Sequence, residues 1–214
     1  MSILAGQRLA VLDLETTGWR PAEGHTVLEV ARVTLENEHI AETWSSLVGP
    51  RRPISAETTR VHGITEAMLS AAPDPSAVAR QIRESCAGLP LVFHNAAFDL
   101  PFLTALLREA GQPPLWNPVI DTLGLSRGLF GAGSNSLGEL AIRLDLPREA
   151  LHRALGDART AARALLALAP LWERERGVRS IEELAAASQD AIRESARRAP
   201  AVTTMRPMCA PRPS

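Results

Sequence analysis

The chain has 214 residues, 45% hydrophobic and 22% charged, with a formal net charge of -1. That balance fits a globular chain able to bury a full core, and it argues against a disordered polymer or a basic protein that grips long nucleic acid by its phosphates. Any action on nucleic acid would hold a short stretch locally, or a partner would supply the grip.

No run of about 18 apolar residues suggests a transmembrane helix, and the N-terminus lacks the pattern of a secretory signal. Cys86 and Cys209 show no metal or redox spacing, so the expected setting is the reducing cytoplasm, with no membrane partner. Every strongly basic residue is arginine, a compositional bias that supports no mechanism.

The apolar run from Leu9 to Leu12 leads into Asp13-Leu14-Glu15-Thr16-Thr17-Gly18, the pattern of a buried strand whose end reaches the surface. Side chains alternate across a strand, so Asp13 and Glu15 share one face. Two carboxylates so placed repel unless a cation lies between them, and hard oxygen donors suit Mg²⁺ or Mn²⁺. A turn over 19–24 precedes strands at 27–33 and 41–48, an antiparallel meander. Pro50 and Pro53 break the pattern, and Thr65 is placed to cap a short helical turn.

Asp74-Pro75 starts a helix that stops at Gly88. Strand 91–93 ends in His94-Asn95, a helix spans 98–111, and 118–121 reads as another short strand. Ser136 and Glu139 form a capping box, and a last core helix spans 154–168. Beyond Pro170, Ser180 and Glu183 form a second capping box. It opens a helix to Ala196 with Ile181, Leu184, Ala185, Ser188 and Ile192 on one face. After Ala199 the chain is rich in proline and arginine and is predicted to be disordered. The expected fold is α/β, a mixed five-stranded sheet flanked by helices. The expected division is a domain over 1–170, a helical appendage over 171–198 and a tail over 199–214.

Three segments place polar residues at the ends of apolar elements: Asp13 with Glu15, His94 to Asp99, and His152 to Asp157. Singly, Asp99 and Asp157 also read as helix N-terminal acids, and His152 as a surface or capping residue. The six-residue glycine-rich stretch 128–133 follows no strand and precedes no Gly-Lys-Ser, so a phosphate loop is not expected.

In combination, Asp13-Leu14-Glu15-Thr16-Thr17-Gly18, His94-Asn95-Ala96-Ala97-Phe98-Asp99 and His152-x-Ala154-x-x-Asp157 resemble the three motifs of the DEDDh 3′–5′ exonucleases. Val61-His62-Gly63-Ile64-Thr65, Asp121-Thr122-Leu123 and Asn135-Ser136-Leu137 fall between them in the family's order. The resemblance covers roughly residues 7–170 and is closest to the proofreading (epsilon) subunits of bacterial DNA polymerase III. It implies a ribonuclease-H-like fold in which Asp13, Glu15, Asp99 and Asp157 hold two divalent ions, Mg²⁺ or Mn²⁺, with His152 as general base. Leu14, Thr16, His62, Asn95 and Phe98 would bind the terminal nucleotide, Phe98 by stacking on a base. Asp121 would order the site from behind, and Glu29, mid-strand, is read as structural.

The chemistry agrees with that picture. Two metals about 3.5–4 Å apart can serve both the attacking and the leaving oxygen of a phosphodiester, and an imidazole with a pKa of about 6.5 can take a proton near neutrality. On a regular helix, residues 152 and 157 would point about 140° apart, so His152 is expected in the segment before the helix. With no tyrosine in the chain, the related branch that uses tyrosine at this place is closed.

The implied function is metal-dependent removal of nucleoside monophosphates from DNA 3′ ends, of proofreading or repair type. One alternative is an RNA 3′-trimming or short-oligonucleotide exonuclease. The other is a binding subunit with an idle site, docked on a polymerase or repair protein through 171–214. No clear clamp-binding peptide is visible in the tail.

Overall fold

The computed structural model describes residues 2–49, 54–131, 133–147, 149 and 153–198. The proline break at 50–53, His152 and the predicted tail over 199–214 lie outside the described residues.

Strands β1 (Arg8–Thr16), β2 (Val27–Glu36) and β3 (His39–Leu47) form an antiparallel meander. Strands β4 (Leu91–Phe93) and β5 (Val119–Asp121) add in parallel. The order β3-β2-β1-β4-β5 makes the expected mixed five-stranded sheet, with β1 at its centre. The third strand starts two residues earlier than its pattern suggests. Asn37 and Glu38 both take positive φ, 49° and 68°, and so reverse the chain in a two-residue hairpin whose twist matches the strands.

Helices α1 (Ala56–His62), α2 (Glu66–Leu69), α3 (Pro75–Ser85) and α4 (Ala96–Glu109) follow β3 and surround β4 in the chain. Then come α5 (Thr122–Phe130), α6 (Leu137–Arg143), α7 (Ala154–Arg176) and α8 (Ile181–Arg198). The predicted starts hold where a side chain accepts from the first turn: Thr65 from the Met68 N–H, Asp74 from the Ser76 N–H, and Ser136 with Glu139 in a full capping box.

The two faces of the sheet bury different partners. Leu9, Val11, Val33 and Leu35 share a core with Ala158, Ala161, Leu165 and Leu168 of α7. Ala10, Leu12 and Leu14 share one with Ile82 of α3 and Phe102 and Leu103 of α4. Alternation therefore turns Asp13, Glu15 and the register partner of Glu15, Glu29, toward the α7 side.

Three helices exceed or escape the sequence pattern: α1, which Ser55 caps by accepting from the Thr58 N–H, α7 and α5. α7 continues through Pro170 to Arg176, eight residues past the expected end. Leu168, Ala169 and Trp172 are buried on both sides of that proline, and the Trp172 indole N–H donates to the Leu125 carbonyl at 3.1 Å. Tertiary packing carries the helix past the missing donor. α5 covers residues that the sequence pattern assigned to no element and runs into the glycine-rich stretch 128–133, and its glycines are there for close approach. A Cβ on Gly124 would overlap the Ser188 carbonyl of α8, and one on Gly128 would meet the Trp172 ring.

α8 lies against α5 and β5. Ile181, Leu184 and Ala185 belong to the same core as Leu9 and Val11. The Asp121 N–H donates to Ser188 Oγ at 3.0 Å, and Gln189 donates to the Val119 carbonyl at 3.4 Å, so α8 covers the outer edge of β5. The apolar face of α8 is thus occupied within the chain. Among the described residues, no helix is long and apolar enough to cross a membrane.

Leu184 is fully buried, so Leu184→Ala should lower unfolding stability by about 2–5 kcal/mol. Urea titration followed by circular dichroism measures it; a change near zero would mean that α8 does not contribute to the cooperative core.

Candidate active site

The site forms where β1 outruns its neighbour. The Ala10 N–H pairs with the Pro90 carbonyl, so even-numbered N–H groups of β1 face β4. β4 ends at Phe93, and the Leu14 N–H donates instead to Asp99 Oδ1 at 3.2 Å. Asp99, in the first turn of α4 and buried, therefore continues the ladder with a carboxylate and ties α4 to the end of β1.

The turn that delivers Asp99 is itself held. Asn95 precedes α4 in the left-handed region, φ 73°, without a side-chain cap of its own. The Asp121 carboxylate accepts from the N–H groups of Asn95 at 2.9 Å, Ala96 at 3.0 Å and Leu123 at 2.9 Å. Asp121 orders this turn and caps α5.

Asp13 and Glu15 project from β1, and Asp157 from the first turn of α7. One carboxylate oxygen from each lies within 4.8 Å of the others, all three half-buried. Asp99 stands outside this triplet, on the Leu14 N–H. His152, two positions before α7 in the chain, is not among the described residues.

Crowding shows in the ionisation of the acids. Burial, then the charges of Asp99, Asp157, Glu15 and Glu29, hold Asp13 well above the usual carboxylate range. Burial and the charges of Asp157 and Glu29 push Glu15 from 4.5 to about 7, against a lowering by Arg153. Burial also raises Asp99, opposed by its bond from the Leu14 N–H. A set of oxygen donors so destabilised as anions fits a hard divalent cation, which would relieve both repulsion and desolvation.

Beside the cluster runs a cleft lined by Leu14, Glu15, Thr16, Trp19, His62 and Phe98. Four of the five residues expected to bind the nucleotide, Leu14, Thr16, His62 and Phe98, come together here. Asn95 does not line the cleft; its side chain is exposed at the left-handed turn. His62 is buried, and its Nδ1 accepts from the Ile64 N–H at 3.0 Å. That bond assigns the ring proton to Nε2 and makes the imidazole a neutral donor.

Val61, the first residue of the Val61–Thr65 motif, also lines the cleft, with Trp19 and Thr58, which were not singled out in the sequence. Trp19 is 80% exposed, and its ring meets Phe98 edge-on at 6.0 Å. The available signal was a large aromatic directly after Gly18, at the end of the acid-bearing strand.

A mixed sheet with a carboxylate cluster at the end of its central strand defines the ribonuclease-H-like class of exonuclease folds. The family model described as exonuclease (RNase_T) matches residues 10–165, and the chain belongs to that family. A "DNA polymerase III subunit epsilon-like protein" of Rhodobacter capsulatus is 44% identical over 165 residues, 75% of this chain and 23% of that one. The "3′-5′ exonuclease DinG" of Bacillus subtilis is 36% identical over 153 residues, 71% of this chain and 16% of that one. The chain thus spans less than a quarter of the length of these curated relatives. A solved structure, exonuclease X in complex with 5′ overhanging duplex DNA, aligns with a TM-score of 0.66 at 27% identity, covering 84% of this chain and 99% of that one.

The raised Glu15 gives a pH dependence with a definite sign. A carboxyl whose folded pKa is about 7, above its unfolded value, contributes stability below about pH 4.3 that is lost as pH rises through 7. With chelator present, the melting temperature should therefore fall between about pH 5 and pH 8. Glu15→Gln should flatten that fall, and Mn²⁺ should reverse it at pH 8; differential scanning calorimetry measures all three.

Proposed function

We propose that this chain is a metal-dependent 3′–5′ exonuclease that removes nucleoside monophosphates from DNA 3′ ends, in proofreading or repair. The observation that carries the reading is the meeting of Asp13, Glu15 and Asp157 oxygens within 4.8 Å beside an aromatic-lined cleft. The similarity to an epsilon-like protein, a 3′–5′ exonuclease and a DNA-bound exonuclease supports the direction and the DNA substrate.

In this reading Asp13, Glu15, Asp99 and Asp157 hold two divalent ions, Mg²⁺ or Mn²⁺, with Asp99 also fixing the end of β1. Bound there, the ions would supply an acidified water and stabilise charge on the leaving oxygen. His152 takes the proton from the attacking water as general base, a role that rests on the third motif. Phe98, flanked by Trp19, stacks on a base without regard to its identity. His62 offers its Nε2–H toward the sugar and phosphate, and the backbone around Leu14 and Thr16 holds the terminal nucleotide. Asn95 stays in the proposed substrate set on motif grounds alone.

Residues 1–170 carry the nuclease chemistry, and 171–198 complete its packing. A polymerase or repair partner, suggested by the epsilon-like relative, would meet the outer surface of α8 or the tail, since the apolar face of α8 is buried. Cys86 is a free buried thiol pushed up to about 11 by desolvation, consistent with a reducing cytoplasmic setting.

A gel assay on 5′-labelled single-stranded DNA and RNA of one sequence tests the function, run with Mg²⁺, Mn²⁺ or chelator. DNA should shorten from its 3′ end and stop with chelator. Asp13→Ala should abolish the ladder, and His152→Ala should slow it by about 10²–10⁴-fold. Undiminished activity in Asp13→Ala would overturn the reading, and faster shortening of RNA would move the substrate to RNA.

A further inference from the structure

Glu29 is a carboxylate in an unfavourable place. It sits mid-strand in β2, opposite Glu15 in register and on the same sheet face, with a side chain 4% exposed. Its charge adds to the burden on both Asp13 and Glu15. A leucine there would bury as well and repel nothing.

Its partners lie at the start of α7. Arg153 Nε donates to Glu29 Oε2 at 3.0 Å and Arg153 Nη2 to Oε1 at 2.8 Å, a two-pronged pair. The Ala154 N–H donates to Oε2 at 3.2 Å. Arg153 is the residue that caps α7 and has no side-chain capping bond of its own, so Glu29 supplies the cap from the sheet. The first helical bond then runs from the Asp157 N–H to the Arg153 carbonyl at 3.1 Å. One carboxylate thereby fixes the residue on which Asp157 hangs, against the strand that faces Asp13 and Glu15. Arg153 also directly follows His152 in the chain.

We propose that Glu29 and Arg153 are positioning residues that set the Asp157 carboxylate against Asp13 and Glu15. The inference rests on the reading of those three acids as the metal-holding cluster. The pair acts through the first turn of α7. A fork is required, because a single contact would leave the turn free to pivot about it, whereas two parallel bonds and a backbone bond fix its orientation.

The test is Mn²⁺ binding to the full chain without nucleic acid, read from the paramagnetic resonance of free Mn²⁺, with thermal melts at the same pH. Binding should be lost in Asp13→Asn; equal binding by that variant and wild type would overturn the cluster reading, and this proposal with it. Arg153→Met then separates position from charge. Removing a cation beside the acids should tighten Mn²⁺ binding on electrostatic grounds alone, whereas loss of positioning should weaken it by about 10–100-fold. Binding equal to or tighter than wild type, with Asp13→Asn still inactive in binding, overturns the positioning role and leaves the cluster reading intact.

Arg153→Lys keeps the charge without the fork and should also weaken binding; unchanged affinity there counts against the proposal even if Arg153→Met fails to fold. The double variant Glu29→Gln/Arg153→Met should bind no more weakly than the worse single variant, and additive losses would show that the two do not act as a unit.

Discussion

Mutual repulsion of carboxylates is the constraint around which this molecule is arranged. Asp13, Glu15, Asp99, Asp157 and Glu29 converge on one end of a buried sheet. Two full charges about 5 Å apart repel by about 3 kcal/mol at an effective dielectric of 20, a sizeable part of a domain's net stability. No single element could hold such a group together. The acids are therefore anchored by several parts of the fold: two by the central strand, one by α4 through the Leu14 N–H, one by α7 and one by the Arg153 fork. The raised values at Asp13 and Glu15 are the electrostatic trace of this arrangement before any cation enters.

The anchoring extends further than the acids. Asp99 depends on the entry turn of α4, which stands in the left-handed region at Asn95 and is held there by the N–H bonds of Asn95 and Ala96 to Asp121. The Asp121 N–H in turn is held by Ser188 of α8. A continuous line of hydrogen bonds thus runs from the last helix, across the edge of β5, to the backbone of β1 at Leu14. Gly124 belongs to the same line, because only a residue without Cβ lets α8 approach closely enough for Ser188 to reach β5. The C-terminal helix is thereby part of what shapes the site.

What was legible in the sequence was mostly local. Caps such as Asp74 and Ser136 act within three residues, and the alternation that puts Asp13 and Glu15 on one face needs only the strand. α5 was not legible, because Gly124 and Gly128 lower its helical tendency and only the packing of Trp172 and α8 against them makes sense of it. α7 likewise outruns its pattern because burial on both sides of Pro170 outweighs one lost backbone bond.

Glu29 marks the limit of a one-dimensional reading. Its nearest partners are 124 and 125 residues away, and nothing in the residues around it distinguishes a carboxylate that closes a helix from one that merely interrupts a strand. Only when β2 and the start of α7 are brought together does its cost have a reason. The same holds for Trp19, which in sequence belongs to a turn and in space stands at the mouth of the cleft. The start of α7 supplies the partners of Glu29, and the start of α4 supplies Phe98 to Trp19, while the motif acids are recognisable because the strand or helix that bears each one announces its own end.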